Sequence, residues 1–161
     1  MTPRGTARAA GPLLLLLVSV LLTASAHAQV RVMNWNVARL NGDPVAIEEV
    51  FAAAAADDQP GFAAAPSIIV LQEVTASSRL AIENLVQAGI PNYEYATATF
   101  TVGSSENGSG GAQMLLYRAD LFVEIEDGHR DIPTGAGRNT DRWQLRLNGS
   151  ADDAGVIWVY G

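Results

Sequence analysis

The stretch Pro66-Ser67-Ile68-Ile69-Val70-Leu71-Gln72-Glu73 constrains this chain more than any other. Four apolar residues, three of them β-branched, run without a break and then give way to Gln72 and an acid. A strand with one wet face would alternate, so an unbroken run predicts a strand buried on both faces. Open sheets place their ligand sites at the carboxyl ends of strands. Glu73 is therefore either a functional carboxylate or a surface acid that opens the next loop.

Alternation over residues 30–37 predicts the first strand, with Val30, Val32, Asn34 and Asn36 on one face and Met33, Trp35 and Val37 on the other. A face that begins apolar and ends in two amides predicts a strand that starts in the core and opens into a polar site. Alternatively, the amides cap the turn at Asn41-Gly42-Asp43-Pro44. Asp43 as a cap and Pro44 in the first turn predict a helix whose apolar face is Ile47, Val50, Phe51 and Ala54. A second helix is predicted over residues 77–88, with Ile82, Leu85 and Val86 buried and Gly89 as its stop.

Further strands are predicted over residues 93–101, 112–117, 121–126, 141–147 and 155–161. Residues 103–111 form a Gly/Ser loop that lacks the Lys-Ser/Thr of a phosphate-binding loop, and residues 127–139 read as irregular. In the strand at 141–147, Arg142, Gln144 and Arg146 alternate with Trp143, Leu145 and Leu147, giving a half-buried strand with an arginine face.

Residues 1–28 read as a secretory signal. Arg4 and Arg8 precede an apolar segment at 13–22, and Ala26-His27-Ala28 offers small residues for cleavage. An apolar core of about ten residues falls short of the ~18 of a spanning helix. The expected product begins near Gln29, is secreted or periplasmic, and keeps no membrane span; an uncleaved anchor is the alternative. After the leader, 8 arginines face 17 acids, and lysine is absent. That balance opposes non-specific binding to nucleic acid or anionic lipid, but not a phosphate held at a metal-charged site. Cysteine is absent, which removes disulfides and thiol chemistry.

In their order these motifs resemble the endonuclease/exonuclease/phosphatase superfamily, the deoxyribonuclease I-like fold. The residues that carry the likeness are Asn34-Trp35-Asn36-Val37, a helix, and Leu71-Gln72-Glu73 at the end of an apolar strand. A Gly-rich loop before Met114-Leu115-Leu116-Tyr117-Arg118, the Arg142 strand and Val156-Ile157-Trp158-Val159-Tyr160 complete it. The resemblance implies an α+β fold, a four-layer αββα sandwich, with residues 29–161 as its incomplete N-terminal half. It implies that Glu73 binds a divalent cation, usually magnesium, and that Asn36 helps hold metal or phosphate. Magnesium suits such a site because it takes one or two carboxylates and keeps its other positions for water and phosphate. Arg142 lies near a family arginine and so becomes a candidate substrate-binding residue, or else it belongs to a solvated face balanced by Asp141.

The implied partner is a phosphodiester or phosphomonoester, with nucleic acid among the candidates. The family's later motifs are a histidine, an Asp-x-Asn segment and a terminal Asp-His pair, and none has a counterpart here. His27 lies in the leader, and His129 precedes the Arg142 strand and reads as a loop histidine. The expected function is an exported, metal-dependent phosphoesterase fragment of nuclease or phosphodiesterase type. It is expected to lack turnover alone, so no catalytic residue is assigned. The alternative is a secreted binding or structural domain on the same scaffold. Half of a sandwich is also expected to expose a sheet around Trp158 and to self-associate.

Overall fold

The computed structural model describes residues 30–57, 65–101, 112–151 and 154–161. The segments expected to form a leader, residues 1–28, and a Gly/Ser loop, residues 103–111, lie outside the described residues. Among those described, no helix is long and apolar enough to cross a membrane.

The chain runs β1 (Val32–Asn36), α1 (Pro44–Ala56), β2 (Ile68–Val74), α2 (Arg79–Gly89), β3 (Tyr95–Thr97) and β4 (Ala112–Arg118). It continues with β5 (Phe122–Glu124), β6 (Arg130–Ile132), β7 (Thr140–Leu147) and β8 (Val156–Tyr160). The first sheet has the order β1-β2-β4-β3, with β1 and β2 parallel and β4 antiparallel to both β2 and β3. In the second sheet β7 is central. β5 and β6 pair with its two ends along one edge, and β8 pairs along the other.

The apolar run at Ile68–Leu71 becomes the buried centre of the first sheet, as its lack of alternation requires. Ile69 and Leu71 face a cluster with Met114, Leu116, Ile47, Phe51, Ile82 and Val86, so both helices pack on that side. Ile68 and Val70 face a second cluster with Leu115, Phe122, Trp143 and Leu145, which joins the two sheets. Burying one such side chain is worth about 1.5–3 kcal/mol. The described layers are therefore helix, sheet, sheet: an α+β arrangement in keeping with an αββα sandwich. The second sheet's other face carries no helical layer among the described residues.

Several expectations need correction. Val32 is 60% exposed, because β1 is an edge strand and the second cluster does not reach it; the strand does not start in the core. In α1, Asp43 accepts from Val45 N–H at 3.0 Å as predicted, but Val50 faces solvent while Ile47 and Phe51 are buried. Gly89 does stop α2 as expected, though without a left-handed backbone. It is the last residue of α2, and a Cβ there would stand 2.8 Å from Phe51 Cβ, so it lets α2 press against α1. β3 is far shorter than the predicted strand, and β6 lies within the segment read as irregular. β8 forms as expected, and Trp158 and Tyr160 are exposed on it, in line with the exposed sheet anticipated around Trp158.

Candidate metal site

Glu73 owes its position to a β-bulge. Leu71 pairs with Met114 and Val74 with Ala112, so β2 takes three steps where β4 takes two. In regular alternation Glu73 would follow Ile69 and Leu71 into the helix-side cluster. The extra residue hands that place to Val74, which is fully buried there. Glu73 adopts φ 58°, a left-handed backbone that side chains disfavour, and keeps 24% of its side-chain surface exposed.

Asn36 arrives from the neighbouring strand, opposite Gln72. Its Oδ1 accepts from Ala38 N–H at 2.9 Å. Its amide also hydrogen-bonds the Glu73 carboxylate. With the oxygen committed to Ala38, the nitrogen is the end that donates to Glu73. Immediately after Asn36 and Val37 the chain makes a left-handed turn, with Ala38, Arg39 and Leu40 at φ 47°, 62° and 61°. Leu40 N–H closes it on Val37 O at 2.8 Å. Two residues earlier on β1, Asn34 accepts a hydrogen bond from the Gln72 carboxamide of β2.

Two arginines complete the surroundings. Arg138 Nη1 donates to Glu73 Oε1 at 3.1 Å, and the Arg39 charge also acts on Glu73. The Asn36 hydrogen bond first, then the Arg138 hydrogen bond, holds the Glu73 carboxyl below the usual carboxylate range, against the opposing effect of partial burial. The site therefore presents an ionised hard oxygen donor in a shallow setting, which fits magnesium's use of a single carboxylate beside water and phosphate. Among the described residues, no group of three or more His, Cys, Asp or Glu is placed to hold a metal. Glu73 would be the ligand. Asn36, expected as a supporting ligand, aims Glu73 through its nitrogen, and its oxygen, which accepts from Ala38 N–H, keeps a second lone pair.

Arg142 does not join this group. It lies on the face of β7 opposite Trp143 and Leu145, with its guanidinium 4.6 Å from the Trp158 ring centroid. Asp141 does not balance it either. That carboxylate is on the core side, fully buried, and 2.9 Å from His129 Nε2. Burial pushes the Asp141 carboxyl up, and His129 opposes the shift. The arginine that reaches Glu73 is Arg138, in the segment read as irregular. Its approach is fixed by Gln113 of β4, which donates to Asn139 O at 2.9 Å and accepts from Asp141 N–H at 2.7 Å. Nothing in the local sequence marks Arg138, because the contact is made between sheets.

The family model for the Endonuclease/Exonuclease/phosphatase family matches residues 33–158. The chain belongs to this family. Endonuclease/exonuclease/phosphatase proteins are phosphoesterases and nucleases that generally depend on a divalent metal. Among solved structures, an endonuclease/exonuclease/phosphatase family protein from Bacteroides thetaiotaomicron is 14% identical with a TM-score of 0.50, covering 81% of this chain and 49% of that one. TDP2 from D. rerio, complexed with a single-strand DNA product, is 15% identical with a TM-score of 0.46, covering 81% and 44%. Truncated TDP2 from Caenorhabditis elegans is 19% identical, also with a TM-score of 0.46 and 81% and 44% coverage. At 14% identity the likeness to the Bacteroides thetaiotaomicron structure establishes the fold alone. This chain spans about half the length of these structures. No curated protein matches it.

Proposed function

We propose that this chain is the N-terminal part of an exported, magnesium-dependent phosphoesterase of nuclease or phosphodiesterase type. The observation that carries the reading is Glu73, turned out of the β2 alternation by a bulge and kept ionised by Asn36 and Arg138. Magnesium held by Glu73 would stabilise negative charge on phosphoryl oxygens. Asn36 orients the carboxylate, and the flanking arginines favour an anionic substrate. The chain alone lacks turnover in this reading, because the histidine and later aspartate motifs that the family resemblance implies have no counterpart in it. Loss of one member of such a unit removes most of the rate. Residues 1–28 direct export in the same reading, so the mature protein starts at Gln29, which mass spectrometry of the secreted product tests.

The test of function uses the protein encoded by the complete reading frame. Cleavage of a phosphodiester should require magnesium and disappear in Glu73→Ala. Cleavage unaffected by either change overturns the reading. A protein that binds no divalent ion and cleaves nothing favours the second reading, a binding or structural domain on the same scaffold.

A further inference from the structure

Arg138 stands at the end of a turn built to hold it. Gly135 and Gly137 take φ 71° and 81°, conformations that glycine adopts without strain. Thr134 Oγ1 donates to the Arg138 carbonyl and accepts from Ala136 N–H at 3.1 Å, closing the turn on itself. Gln113 then anchors the next residues to β4. A long, costly-to-order side chain is thus delivered to one carboxylate by a backbone already fixed. The delivery leaves much of it uncovered: 59% of the Arg138 side chain is exposed, and one nitrogen, Nη1, is the atom on Glu73. A guanidinium has five N–H donors in a fork that matches phosphate.

The local charge points the same way. Arg138 donates to Glu73 and the Arg39 charge also acts on it, a concentration of positive charge in a chain of formal net charge −7. An exposed ion pair of this kind adds little to stability, so stability does not account for so prepared a turn. A divalent cation on Glu73 would compete with Arg138 for the carboxylate and leave the guanidinium beside a doubly charged ion.

We propose that Arg138 is a phosphate-binding residue of this site, paired with Glu73 at rest and handed to the substrate's phosphate group when a divalent cation takes Glu73. The metal half rests on the reading of Glu73 as a ligand. Arg138 touches substrate in this scheme and selects for a phosphoryl oxygen beside the metal; no bond is made or broken by it.

The test measures two affinities in the full chain, as wild type, Arg138→Ala, Arg138→Lys and Glu73→Gln. Manganese binding is followed by the paramagnetic resonance of the free ion, and inorganic phosphate binding by phosphorus resonance line width. Arg138→Ala should tighten manganese by about threefold to tenfold, because a competing cation is gone. It should weaken phosphate by about tenfold, with Arg138→Lys between the two. Glu73→Gln should leave phosphate binding equal or stronger, since it frees the guanidinium. Phosphate affinity unchanged in Arg138→Ala overturns the proposal, as does manganese affinity that falls in that variant. If wild type shows no manganese binding that Glu73→Gln abolishes, the metal reading falls by itself. Phosphate binding without metal then decides: loss in Arg138→Ala upholds the residue's role, and equal binding ends it.

Discussion

Asn36 uses both ends of its amide for geometry. Oδ1 holds Ala38 N–H and so shapes the turn, while the nitrogen fixes the Glu73 carboxylate. Groups that orient a metal's ligand typically change affinity by about 10–100-fold when removed. Asn36→Ala should therefore weaken magnesium binding within that range in calorimetric titration while leaving the helical and sheet content unaltered. Asp141 tests a different balance. Its folded carboxyl titrates above the ordinary 3.8 because burial opposes its charge. Such a group binds its proton more tightly when folded. The stability it gives is full below the unfolded value and is lost as pH rises through the folded one. Asp141→Asn should flatten the fall in denaturant stability that wild type shows as pH rises above the ordinary carboxylate range. At this scale the sequence was legible in part. Glu73 and Asn36 stand where an apolar strand and an amide-ended strand place them. That Arg142 lies over Trp158 could not be read in advance, because period-two alternation tells which residues share a face but not which face looks toward the site.

Among the elements, α1 could be read in advance because its cap is chemical: Asp43 satisfies Val45 N–H and Pro44 needs no donor in the first turn. The bulge in β2 could not. Leu71, Gln72, Glu73 and Val74 carry no glycine to announce a left-handed residue, and the phase change appears only when β4 pairs. β6 was equally hidden, since three residues pairing with one end of β7 leave too short a pattern to count. Two substitutions test these elements. Gly89→Ala sets a Cβ 2.8 Å from both Glu48 O and Phe51 Cβ, so α1 and α2 must part. It should cost about 1–3 kcal/mol, read as a lower melting temperature. Ala38→Gly removes the penalty of a positive φ at an exposed position. It should raise stability by about 1 kcal/mol, measured in denaturant.

For the molecule as a whole, the two clusters divide the work. One fastens the helices to the first sheet and the other fastens the sheets together. Among the described residues nothing helical covers the far face of the second sheet, where Trp158 and Tyr160 are 48% and 59% exposed and Val123 and Ile132 lie on the same face across β7. Exposed aromatic and β-branched residues on a sheet favour contact with a second copy. Sedimentation velocity should show association that grows with concentration, and replacing Trp158 and Tyr160 by serine should shift it toward monomer. The bridge that Gln113 makes between β4 and the start of β7 carries one more consequence, in the order of folding events. Glu73 and Arg138 are separated by 65 residues and reach each other across two sheets, so their meeting must wait for the sheets to dock. Gln113→Ala should accordingly speed unfolding and leave the refolding rate nearly unchanged, the pattern of a contact made after the barrier. A chain caught with only the first sheet assembled would already carry its carboxylate on the bulge, with no arginine beside it.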